Sequence, residues 1–126
     1  MKTKKPTWAL PVIVIGLATA GCATMPIPAD KLSRSQSAIA AAEEMNAASE
    51  PQAALHLKLA KEQLSQGKKF MIEGENKAAS QVLLRAESDG EAALALARAK
   101  SAQLEAQKAI TAIQEQMAQI QKGSGT

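Results

Sequence analysis

AASQVLLRAESDGEAALALA, residues 78–97, carries a single apolar stripe. Ala79, Leu83, Ala86, Gly90, Ala93 and Ala97 recur at spacings of 4, 3, 4, 3 and 4, which places them on one face of an α-helix. The stretch just upstream repeats the pattern: Ala53, Leu57, Ala60, Leu64, Gly67 and Met71 follow the same alternation. Between the two lies Glu73-Gly74-Glu75-Asn76, rich in residues that accept left-handed backbone. Two striped helices joined by a short turn predict an antiparallel helical hairpin. Because the stripes are mostly Ala and Gly, the helices should approach closely, near the lower end of the usual range of about 8–10 Å between axes.

Working outward, the second of these helices continues past Ala97 to about Gln121, some 45 residues, or roughly 68 Å if unbroken. Asp89-Gly90 is its expected weak point, since Gly costs about 1 kcal/mol against Ala in a helix. Beyond it Ala92, Leu96, Ala99, Gln103, Ala106, Ile110, Ile113, Met117 and Ile120 form a heptad seam with one polar break at Gln103. The hairpin partner is only about half as long, so the far seam needs another partner. The first helix folding back, a second copy of the chain and a different protein are the three candidates. We single out Leu96, Ala99, Ala106, Ile110, Ile113, Met117 and Ile120 as the interaction seam.

Upstream of the hairpin, Ser49-Glu50-Pro51 marks a helix start, with Ser49 placed to cap and Pro51 suited to a first turn. An Ala-rich segment with Leu32, Ile39 and Met45 as its larger apolar residues reads as the weakest of three helices, with Asp30 or Ser33 as its cap. Pro26 and Pro28 mark an extended tether before it. The expected fold is thus all-α: an antiparallel hairpin or small three-helix arrangement with a long C-terminal, coiled-coil-like helix. Expected boundaries are a leader over 1–21, a lipidated Cys and tether over 22–31 and a helical domain over 32–121. Within that domain the helices fall at about 32–48, 51–73 and 76–121, and 122–126 forms a flexible tail.

The N-terminus states a destination. Lys2, Lys4 and Lys5 precede an apolar run from Trp8 to Ala20, followed by small residues up to Gly21-Cys22. This is the layout of a secretory leader, and the run of about 13 residues is too short for the roughly 20 that span a bilayer. Thr19-Ala20-Gly21-Cys22 resembles the lipobox of bacterial lipoproteins, with Thr19 in place of the usual Leu. The resemblance implies cleavage between Gly21 and Cys22 and acylation of Cys22. Ala23, where Asp would signal retention at the inner membrane, implies the outer membrane of a Gram-negative bacterium, with the protein lipid-anchored on the periplasmic face. The competing reading is an ordinary leader cut after Ala20 or Gly21.

Loss of the leader takes the basic residues from 15 to 12, against 12 acidic ones, so the mature chain is neutral and lacks the charge of a nucleic-acid binder. The hydrophobic fraction is 46% but the aromatic fraction only 2%, so Phe70 is the sole aromatic side chain of the mature protein and an aromatic-lined pocket cannot be built.

Catalytic chemistry has little to draw on: one His, no Tyr and one Cys at the lipid position. His56 reads as a partly exposed helix-surface residue. Glu50 and Glu62 do not fall at i±3 or i±4 of it, which argues against zinc. Lys58 and Glu62 read as an exposed i, i+4 pair, and Lys68-Lys69 as the last turn of the second helix, where cations complement the dipole. We therefore expect no catalytic residues, no metal, no cofactor and no small-molecule substrate.

Between Ser37 and Arg98 the chain is similar to the bacterial family called domain of unknown function 4398, exported proteins built on an Ala-rich helical hairpin. The resemblance rests on Ala47-Ala48-Ser49-Glu50-Pro51, Leu59-Ala60-Lys61, Gly67, Gly74-Glu75, Ala78-Ala79, Ala86-Glu87-Ser88-Asp89 and Ala95-Leu96-Ala97-Arg98. It implies the hairpin and no activity. The expected role is a non-enzymatic structural or protein-interaction module of the cell envelope, held to the membrane by acyl chains on Cys22 and contacting a further copy or an envelope protein. A carrier or chaperone that shields apolar ligands or unfolded envelope proteins, helped by Met45, Met71 and Met117, is the alternative.

Overall fold

The computed structural model describes residues 25–125 and contains three α-helices: α1 (Ala29–Glu44), α2 (Pro51–Ile72) and α3 (Asn76–Gly123). A short 3₁₀ turn, Ala47–Ser49, lies between α1 and α2. The leader, Gly21 and Cys22 lie outside the described residues.

α1 starts three residues earlier than its apolar pattern suggests. Pro28 stands at the cap position and its carbonyl accepts from the Leu32 N–H at 3.1 Å, so the proline opens the helix instead of only delaying it. Neither Asp30 nor Ser33 caps. Both lie inside the helix, Asp30 in the first turn, where its charge complements the exposed N–H groups. Four residues of the expected C-terminal stretch are not α-helical. Asn46 adopts a left-handed conformation, φ 53°, and the chain turns through Ala47–Ser49.

The cap of α2 also differs from expectation. The Ser49 hydroxyl donates to the Asn46 carbonyl inside the turn, and the Glu50 side chain takes over, accepting from the Ala53 N–H. α2 closes with a Schellman motif: Gly74, at φ 77°, donates to the Met71 carbonyl and Glu75 to that of Phe70. α3 then runs for 48 residues, about 72 Å, through Gly90 without a break. Its last helical residue is Gly123, so the helix takes in Lys122 and Gly123, which the sequence assigned to the tail.

The helices run up, down, up. Gly67 of α2 lies against Leu83 of α3, while Gln63 and His56 meet Asp89. α1 runs parallel to α3: Lys31 donates to the Ser80 hydroxyl at 2.6 Å, and Gly90 touches Ala38 and Ile39. At the start of α3 the Asn76 amide donates to the Met25 carbonyl at 2.7 Å, tying the incoming chain to the α2–α3 turn.

The interior follows the predicted stripes. Ala79, Leu83, Ala86, Gly90, Ala93 and Ala97 are all buried, as are Ala53, Leu57, Ala60 and Gly67, with Leu64 and Met71 half-buried beside them. α1 adds Ser35, Ile39 and Ala42. Because most core positions are alanine, backbones meet with little between them. A Cβ built on Gly67 would lie 2.6 Å from Leu83 Cδ2, and one on Gly90 would lie 2.9 Å from Ala38 Cβ. The glycine expected to weaken α3 is therefore a point where α1 lies directly against it.

Candidate interaction surface

α3 outruns the bundle. Its contact with the α1–α2 corner ends near Leu104, which borders a groove with Met45, Asn46, Ser49 and Glu50. About 19 further residues, roughly 28 Å of helix, extend beyond that corner. Every residue from Ala102 to Gly125 is exposed.

On this arm the predicted seam carries its largest side chains in the open: Ile110 is 49% exposed, Ile113 55%, Met117 60% and Ile120 70%. Ala99 and Ala106 are exposed as well, and Leu96 is half-buried. At about 100° per residue, Leu96 and Ala99 point about 110° away from buried Ala93 and Ala97, and the seam from Ile110 to Ile120 about 160° away. From Ile110 to Ile120 the seam thus faces away from α1 and α2, whereas Leu96 packs against the core of the bundle. Of the three partners open to it, the first helix is excluded as folded here, because α1 packs along the opposite half of α3.

Sequence reasoning missed a polar cluster between α2 and α3. Asp89 bridges the helices: one carboxylate oxygen pairs with His56 Nδ1 at 2.8 Å and the other accepts from Gln63 Nε2 at 2.8 Å. His56 is partly exposed, as expected, yet it is not a free surface residue. The signal was available, since His56 and Gln63 are seven residues apart on one face of α2 and Asp89 precedes the buried Gly90. With both carboxylate oxygens engaged, the cluster acts as an interhelical clamp. Among the described residues no three His, Cys, Asp or Glu side chains gather where they could share an ion.

Other singled-out residues take the places expected of them. Lys58 and Glu62 form an exposed pair at 3.8 Å, and Lys69 in the last turn of α2 pairs with Glu73 at 3.9 Å. Ile72 beside them is 87% exposed. The three methionines that a carrier would use do not converge: Met71 lies near the α2–α3 turn, Met45 at the opposite end of the bundle and Met117 on the arm. No helix among the described residues is long and apolar enough to cross a membrane.

Comparison with curated proteins and with solved structures gives no match. A family model described as domain of unknown function (DUF4398) matches residues 30–109. The match takes in α1, α2 and α3 to five residues past Leu104, and stops one residue before Ile110, the first large residue of the exposed seam. With the three-helix body matched from its first turn to the base of the arm, the chain belongs to the DUF4398 family.

Proposed function

We propose that the protein is a non-enzymatic, lipid-anchored interaction module of a Gram-negative envelope, held to the outer membrane through acyl chains on Cys22 and facing the periplasm. The observation that carries this reading is the polarity of the bundle. Met25 is tied to Asn76 at one end of α3, and the unpartnered apolar seam stands at the other.

Cys22 lies three residues before Met25, so lipid attached there sets the bundle close to the bilayer and aims the arm away from it. The tip of α3 then reaches about 70 Å into the periplasm. Each methylene buried in lipid contributes about 0.8 kcal/mol, so more than one acyl chain gives a lasting anchor. A neutral body carrying an exposed apolar face is suited to binding other helices, not nucleic acid or a charged substrate.

Mass spectrometry of the N-terminal fragment from native membranes tests the anchor. The reading expects a lipid-sized increment on Cys22, and loss of both increment and membrane retention in Cys22→Ser. An unmodified Cys22 on a chain that washes free of membranes would overturn it.

A further inference from the structure

We infer that the seam on the arm of α3 binds a second copy of this chain in parallel register, an inference that rests on the reading of that seam as the protein's contact surface. The register assigns every residue of the arm to a heptad position. Leu96, Gln103, Ile110 and Met117 stand at a, and Ala99, Ala106, Ile113 and Ile120 at d. The charges follow the same order. From Glu105 onward the charged residues are Glu105 at c and Lys108, Glu115 and Lys122 at f, all on the outer side of the helix.

Lys100, at e beside Leu96, is the one charged flank; along the arm beyond it the e and g positions, which choose partners by charge, hold Ala102, Gln107, Ala109, Gln114, Gln116 and Gln121. A seam built to take a differently charged helix would place charge at these positions. Uncharged amides and methyls impose no like-charge penalty on two identical helices, and so favour self-pairing.

The order of residues along the seam sets the direction. In parallel register Ile110, Ile113, Met117 and Ile120 each face their own kind, and the two Gln103 side chains hydrogen-bond to each other. An antiparallel pair would place Gln103 opposite Ile113 and leave the amide buried without a partner, at a cost of about 1–3 kcal/mol. Because the seam from Ile110 to Ile120 points away from the side of α3 that α1 and α2 cover, pairing along the arm sets the two bundles outboard of the paired helices. Chains anchored in one membrane present their arms in the same direction, which parallel pairing requires.

Disulfide trapping in native membranes tests the pairing, using Ile113→Cys at a d position and Glu115→Cys at f. The unsubstituted chain is the control: a self-adduct through Cys22 alone would report a free thiol and count against the anchor, not against the pairing. Both variants keep the helical content of the parent by circular dichroism. The inference expects Ile113→Cys to yield an adduct of twice the chain mass and Glu115→Cys to yield none. It is overturned if Ile113→Cys gives no self-adduct, if its adducts contain only a different protein, or if adducts form only between chains carrying Gln103→Cys and chains carrying Ile113→Cys.

Discussion

Gly90 of α3 lies directly against Ala38 of α1: a Cβ on the glycine would stand 2.9 Å from the alanine Cβ and 3.1 Å from its carbonyl carbon. Neither neighbour can swing aside, since one is a methyl group and the other is backbone. In a free helix Gly→Ala adds about 1 kcal/mol of stability. Here the overpacking cost of about 1–3 kcal/mol opposes that gain, so Gly90→Ala should destabilise the protein. Urea unfolding followed by circular dichroism reads the sign, and a more stable variant would refute the close crossing.

Gly67 and Leu83 form the corresponding contact between α2 and α3: a Cβ on Gly67 would stand 2.7 Å from Leu83 Cγ, and Leu83 is fully buried. Gly67→Ala and Leu83→Ala should each lower stability, the second by about 2–5 kcal/mol through the cavity it opens. The double variant should lose less than the singles together, by about 1 kcal/mol or more, because the new methyl enters the vacated space. Additive losses in a double-mutant cycle would mean that the two residues do not touch.

Asp89 holds α2 through two hydrogen bonds. Asp89→Ala should cost about 1–3 kcal/mol, since His56 and Gln63 lose their shared acceptor in a half-buried site. His56→Ala measured in the Asp89→Ala background should then cost less than it does in the parent. Equal costs in both backgrounds would place the histidine outside the clamp.

At the start of α2, Glu50→Ala removes the side chain that accepts from the Ala53 N–H and should cost about 1 kcal/mol. Ser49→Ala removes only an exposed hydroxyl bond within the 3₁₀ turn and should cost less. Thermal unfolding of the two variants ranks them, and the reverse order would restore Ser49 as the cap.

The hairpin was legible because an alanine-lined helix writes its packing face as a 3 and 4 spacing, and nothing in Ala79–Leu83–Ala86–Gly90–Ala93–Ala97 competes with that period. The 3 and 4 spacing of Ile110, Ile113, Met117 and Ile120 was legible in the same way, and these side chains are exposed. Helix ends were less so, because several residues at each junction are chemically able to cap and only the path of the chain selects among them. Ser49 turned inward on Asn46 and left Glu50 the task. Gly90 was misjudged because helix propensity prices the backbone alone, whereas its value here is the space it leaves for Ala38. The Asp89 clamp depends on which residues of two helices come level, and register across a turn is set by the Gly74 closure and the Gly67–Leu83 contact together.

In the proposed arrangement the arm of α3 joins chains while the three-helix body stands on its own. Sedimentation velocity on the detergent-solubilised mature protein, compared with the Ile113→Asp, Met117→Asp double variant, separates these two roles. Pairing through the arm gives an assembly of more than one chain for the parent and a single chain for the variant, with the cooperative unfolding of the body unchanged. Equal sedimentation of the two proteins would contradict it.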